Sequence, residues 1–129
     1  MNGLKYLVAG GAGFIGSNIV EELLKRGETV RVLDNFSTGR KENLHFVAGY
    51  PSSAIEIIEG DIRDFEAVRK SVDGVDVVLH QAALPSIPRS IQDPITTNEI
   101  NAGGTLNMLK AAVDSGVKRF VYASSSSVY

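Results

Sequence analysis

The sequence predicts an α/β fold built on a doubly wound parallel sheet, and three observations predict it. Five short runs of apolar, mostly β-branched residues recur along the chain, helical patterns lie between them, and a glycine-rich turn joins the first run to the first helix. Strands buried on both faces read as near-continuous Val/Ile/Leu runs, as these do. Strand and helix in alternation mean parallel strands joined by right-handed crossovers.

The predicted strands are Leu4–Ala9, Thr29–Leu33, Ile55–Glu59, Asp76–Leu79 and Arg119–Ala123. The first helix carries Ile15, Ile19 and Leu23 every fourth residue with Val20 and Leu24 beside them. Glu21, Glu22, Lys25 and Arg26 take its other face, and Gly27 stops it. A second helix is predicted over Phe65–Ser71. A longer one runs from about Asn98 to Ser115, carrying Leu106, Leu109 and Val113, with Gly116 after it. Three connections are longer than the topology needs. Asn35–Arg40 is polar, Phe46–Ala54 reads as a surface excursion, and Gln81–Pro94 holds three prolines. Ligands of open parallel sheets bind beyond the carboxyl ends of strands, which draws attention to such loops. No repeat or linker divides residues 1–129, so one domain is expected.

Composition bounds the rest. With 129 residues, 43% of them apolar and 22% charged, the chain can bury a core as an ordinary soluble domain does. A net charge of −2 gives no electrostatic reason to expect nucleic acid or an anionic membrane as partner. There is no cysteine, so disulfides and thiolate metal sites are excluded. Neither His45 nor His80 suggests a metal ligand; His45 reads as a surface helix residue and His80 as a packed, hydrogen-bonded strand end. No signal-peptide pattern opens the chain and no apolar run approaches the roughly 18 residues of a membrane span, so a cytoplasmic protein is expected.

The first strand runs into Gly10-Gly11-Ala12-Gly13-Phe14-Ile15-Gly16, and the first helix follows. A glycine triplet alone is weak, but strand before and helix after are what phosphate binding requires. Gly10 can make the tight turn, Gly13 lets the backbone approach a pyrophosphate, and Gly16 allows close packing. At Phe14 and Ile15 the helix N-terminus offers N–H groups and a positive dipole end to the phosphates. This is the pattern of a Rossmann-type dinucleotide site. Asp34, about twenty residues on, ends the second strand. A carboxylate there accepts from ribose hydroxyls and repels a 2′-phosphate, which favours NAD over NADP; it also reads as a strand-end turn former. Arg40 reads as a solvated loop charge or as a group that accommodates a 2′-phosphate.

Those residues, with Leu33-Asp34-Asn35-Phe36-Ser37-Thr38-Gly39 and Gly60-Asp61-Ile62-Arg63-Asp64, resemble the extended short-chain dehydrogenase/reductase family. His80-Gln81-Ala82-Ala83-Leu84 and Ser86-Ile87-Pro88-Arg89-Ser90 are similar to NAD-dependent nucleotide-sugar 4-epimerases, most of all those acting on UDP-N-acetylhexosamines or their uronic acids. The resemblance covers the whole chain. It implies that Asn35, Ser37, Thr38 and Gly39 belong to the cofactor site, and that Asp61 and Ile62 flank the adenine. Ala82, Ala83 and Leu84 would line the nicotinamide side, and Asn101 would help position the active-site network. Ser125 would hold the reacting sugar hydroxyl, with Ser124 contacting cofactor and Ser126 contacting substrate. Ser86 and Arg89 would face the sugar and its pyrophosphate, although Pro85 stands where the family often has glycine. Read as bare residues, Asp61 is also a turn or helix-cap residue, Asn101 a helix-surface polar group, Arg89 a solvated charge and the serine run a loop.

The same resemblance implies catalysis by a tyrosine with a lysine four residues on: the phenolate takes the sugar 4-hydroxyl proton while hydride moves to NAD. No Tyr-x-x-x-Lys occurs in these 129 residues. The expectation is therefore a parent enzyme truncated after the fifth strand, acting on a UDP-sugar as a homo-oligomer, with this portion inactive by itself. A dehydratase or decarboxylase of the same family, or a non-catalytic NAD-binding regulator, are the alternatives.

Overall fold

The computed structural model describes residues 3–36, 40–81, 95 and 99–122. Five parallel strands form one sheet: β1 (Lys5–Ala9), β2 (Thr29–Asp34), β3 (Ile55–Glu59), β4 (Val77–His80) and β5 (Arg119–Tyr122). Their order is β3-β2-β1-β4-β5. The chain winds outward from β1 to β3, then returns to β4 on the other side of β1. The switch point thus falls between β1 and β4, where the carboxyl ends of an open α/β sheet leave a crevice.

Alternate residues of the central strands feed two cores. Val8, Val30, Val32 and Ile55 pack with Val20 and Leu24 of helix α1 (Phe14–Lys25). Leu7, Ala9, Leu33 and Val78 pack with Val68 and Val72 of α2 (Phe65–Val72) and with Met108, Ala111 and Ala112 of α3 (Thr105–Asp114). Both faces are covered, as the continuous apolar runs foretell. Asp64 caps α2, its carboxylate accepting from the Glu66 N–H at 3.1 Å. Asp76, expected in β4, lies just before it, its N–H donating to the Lys5 carbonyl at 2.8 Å and its carboxylate accepting the Lys5 N–H at 2.9 Å.

Three elements differ from expectation. Phe46–Ala54, expected as a surface excursion, opens inside a run of 3-10 turns, Lys41–Gly49, that is broken at Leu44, the one buried side chain in it. That run is held by long-range hydrogen bonds that no local pattern announces. In α3, Leu106 and Val113 are 66% and 77% exposed, and Leu109 is exposed as well. The buried seam is Met108, Ala111 and Ala112, since α3 packs on α2 and small residues let two helices approach closely. The segment before α3, Glu99–Gly104, is a π-helical turn rather than plain α-helix. β5 is an edge strand with Val121 and Tyr122 exposed; Ala123, expected in it, lies outside the described residues.

Arg31 had no forecast role. Its side chain is only 10% exposed. From the middle of β2, Nη1 donates to the carbonyls of Ser71 at 2.7 Å and Asp73 at 2.8 Å, and Nε donates to Glu56 at 2.9 Å. A guanidinium has several donors in a fixed fork, so it closes the carboxyl end of α2 while pairing with β3.

Candidate functional site

The site begins where β1 ends. Gly10 turns the chain with φ +82°, a region that other residues enter at a cost, and its N–H donates to the Leu33 carbonyl at 2.8 Å. At Gly16 any Cβ would collide with the Gly10 carbonyl and sit 3.0 Å from the Gly11 Cα. Only a glycine lets the first turn of α1 rest on the strand–helix turn. Gly13 is the N-cap of α1, with no side chain capping the first amides and no acidic residue in the first turn. Phe14 and Ile15 project outward, 79% and 64% exposed. An uncapped helix start with a positive dipole end suits an anion.

The peptide of Ala12 is held from both sides. Its N–H donates to Asp34 Oδ2 at 2.9 Å. Its carbonyl accepts from the Arg40 N–H at 3.1 Å and from Asn43 Nδ2 at 2.8 Å. The Lys41–Gly49 turns therefore clamp the glycine loop. Asn43 escaped the sequence reading, because an asparagine in a polar stretch gives no sign of a partner thirty residues away. Arg40 itself is exposed, and its main-chain N–H holds the Ala12 carbonyl.

Asp34, 8% exposed, also accepts the Phe36 N–H through Oδ1 at 2.8 Å. The strand-end turn reading is thus observed, and the carboxylate oxygens keep lone pairs beyond those two bonds. Phe36 follows with φ +58°, costly backbone for an aromatic residue. Asn35 comes out exposed beside β3, its Nδ2 donating to Asp61 Oδ2 at 3.5 Å. The structure thereby brings Asp34, Asn35 and Asp61 to one edge of the sheet.

Asp61 is a turn residue as well. Its Oδ1 accepts the Arg63 N–H at 2.9 Å, and the Arg63 guanidinium reaches its oxygens at 2.6–3.1 Å. That guanidinium first of all holds the Asp61 carboxyl below its usual range. Arg63 also pairs with Glu99 at 3.6 Å. Ile62 is a core residue whose side chain packs in the α2–α3 core against Gly104. A side-chain contact with adenine does not fit that burial; the residue can meet a ligand only through its main chain, whose carbonyl accepts from Asn107 Nδ2 at 2.9 Å.

Asn101 lies in the π-helical turn, and its carbonyl accepts from Thr105 Oγ1 at 2.7 Å. His80, 1% exposed at the end of β4, meets the same hydroxyl through Nε2 at 2.9 Å and lies against the rings of Phe120 and Tyr122. His80 is a packed, hydrogen-bonded residue, as expected, and His45 is exposed on the 3-10 turns. The predicted residues Ser37, Thr38, Gly39, Ala82, Ala83, Leu84, Ser86, Arg89, Ser124, Ser125 and Ser126 lie outside the described residues.

Burial pushes the His80 pKa from 6.5 down to about 4. The folded chain then refuses a proton that the unfolded chain accepts. Stability is complete above the unfolded value and falls as pH drops toward the folded one. Between pH 6.5 and 4 the loss should reach about 3 kcal/mol, and urea midpoints across that window check it. His80→Gln should flatten the slope; an unchanged slope would assign it to other groups.

A profile of the NAD-dependent epimerase/dehydratase family matches residues 6–129. The UDP-glucose 4-epimerase of Streptomyces lividans is 41% identical over 128 residues, which cover 97% of this chain and 37% of that protein. The crystal structure of Thermus thermophilus UDP-glucose 4-epimerase in complex with NAD gives a TM-score of 0.82 at 43% identity, over 94% of this chain and 37% of that one. UDP-N-acetylglucosamine 4-epimerase from Methanobrevibacter ruminantium M1, in complex with UDP-N-acetylmuramic acid, gives 0.87 at 35% identity, over 100% of this chain and 40% of that one. The chain thus spans 37–40% of the length of these relatives. The profile covers nearly all of the sequence, the glycine turn and the strand-end carboxylates included, and the chain belongs to the NAD-dependent epimerase/dehydratase family.

Proposed function

We propose that the chain is the NAD-binding portion of a nucleotide-sugar 4-epimerase, whose full-length form inverts C4 of a UDP-sugar. The observation that carries the cofactor half of this reading is the Gly10–Gly16 turn, and the epimerase half rests on the likeness to UDP-sugar 4-epimerases. That turn leaves the α1 amides uncapped, keeps acidic groups out of the first turn, and stands next to Asp34 at the end of β2. Those features fit a pyrophosphate and an adenosine ribose. Bound there, NAD supplies the group that accepts and returns the C4 hydride.

The chain's own residues bind and orient. Asp34 accepts from the ribose hydroxyls while keeping its two backbone bonds. Asn35, Ser37, Thr38 and Gly39 complete that end of the site, and Asp61 with the Ile62 main chain meets the adenine. Ala82, Ala83, Leu84 and Ser124 belong to the nicotinamide side. Ser125 holds the reacting hydroxyl, and Ser86, Arg89 and Ser126 contact the sugar or its pyrophosphate. A serine is no proton acceptor at neutral pH. In this reading the acid–base pair lies outside these 129 residues, and the chain alone does not turn over.

Removing the ribose carboxylate isolates the claim for Asp34. Asp34→Ala should weaken NAD binding by about 1–3 kcal/mol, the scale of charge-assisted hydrogen bonds. An unchanged dissociation constant would leave Asp34 a turn residue only.

Incubating the full-length protein with UDP-glucose and UDP-N-acetylglucosamine tests the function. Appearance of the C4 epimer supports it. A 4-keto-6-deoxy or decarboxylated product would move the protein to the family's other reactions, and NAD binding without turnover would make it a regulator.

A further inference from the structure

We propose that His80 is a positioning residue that acts through Thr105 to fix the π-helical turn carrying Asn101. The inference rests on the reading above, in which Asn101 serves the sugar-facing network.

The hydroxyl of Thr105 has one proton. It lies 2.7 Å from the Asn101 carbonyl, which can only accept, so that proton is committed there. The same oxygen lies 2.9 Å from His80 Nε2 and must accept from it. His80 is therefore the Nε2–H tautomer, and its Nδ1 carries a lone pair. Nδ1 is buried with no partner among the described residues, and a bare acceptor is less costly there than an N–H would be. The chain of donors runs one way: imidazole to threonine to the carbonyl in the turn.

That carbonyl matters because of what a π turn is. It holds one extra residue between the flanking turns, is rare, and frequently falls at functional sites. If Glu99–Gly104 relaxed to regular α-helix, everything before it would rotate by about 100° around the helix axis, the angle of one residue. Asn101 would then leave its present bearing. The threonine hydroxyl bonds the carbonyl four residues back and so ties Asn101 to the start of α3. His80 ties that hydroxyl to the floor of the crevice, since β4 pairs with β1 at Ala9 and with β5 at Tyr122. Strand ends and asparagine are thus locked in one frame.

The test uses the full-length protein with His80→Leu, His80→Gln and Thr105→Val. Glutamine can place an amide N–H where Nε2–H stands; leucine cannot. His80→Leu and Thr105→Val should each lower kcat about 10- to 100-fold, the cost of misplacing a catalytic group, with KM and NAD affinity little changed. His80→Gln should recover most of the rate, and the His80→Leu/Thr105→Val double variant should be no worse than either single one. The imidazole nitrogen spectrum should show the His80 proton on Nε2. A wild-type kcat in His80→Leu, a glutamine no better than leucine, or a proton on Nδ1 would overturn the proposal. A wild type that converts no UDP-sugar would instead overturn the functional reading. The relay would then be decided by that spectrum and by whether the Asn101 side-chain amide signal shifts in His80→Leu.

Discussion

Gly16→Val is expected to weaken NAD binding at least about 10- to 100-fold, or roughly 1.4–2.8 kcal/mol, and to destabilise the fold as well. The obstacle is backbone, not a side chain that can swing aside. A Cβ at position 16 meets the Gly10 carbonyl, and that carbonyl already accepts the Gly13 N–H at 3.1 Å. Either α1 moves off the turn or the turn opens, and in both cases the amides that would face the pyrophosphate are displaced. Overpacking a tight contact costs about 1–3 kcal/mol. Binding by titration and a urea midpoint on the same variant check both halves. Undiminished NAD binding would mean that the dinucleotide does not use this turn.

Arg31→Leu is expected to cost about 3 kcal/mol of stability with no direct effect on the cofactor site. The variant leaves the buried Ser71 carbonyl, the part-buried Asp73 carbonyl and the Glu56 carboxylate without their donor, and a buried group so stranded costs about 1–3 kcal/mol. Arg31→Lys should recover only part, because a point charge on a flexible stem cannot replace a planar fork serving β3 and α2 together. Chemical denaturation of both variants decides the matter. A leucine variant as stable as the parent would show that water serves those carbonyls equally well.

The same residue shows where sequence reading stops. An arginine between Val30 and Val32 reads as a polar interruption of a strand. Its use follows from α2 ending nearby, forty residues on in the chain, and nothing local encodes that. Asn43 and Asn107 are similar cases: each is a polar helix-like residue whose amide reaches a carbonyl in a distant turn, Ala12 for one and Ile62 for the other. β1 and β2 were legible because burial on both faces demands largely apolar runs, and β3, more exposed, was legible from its isoleucines and ends where expected. The glycine turn was legible because its positions answer to sterics within seven residues. The seam of α3 was not, since Leu106 and Val113 are the bulkier residues while Ala111 and Ala112 fit the narrow gap beside α2. Asp34 and Asp61 each held two readings, and the one open to view is the turn: each carboxylate accepts the N–H two residues on.

The central claim is that the Gly10–Gly16 turn and Asp34 together select NAD. Isothermal titration of the chain with NAD and then with NADP, using Gly16→Val as control, tests it most directly. The account predicts saturable binding of NAD, binding of NADP weaker by about tenfold or more as Asp34 repels the 2′-phosphate, and loss of NAD binding in the variant. Equal or tighter binding of NADP, or NAD binding that survives Gly16→Val, would contradict it.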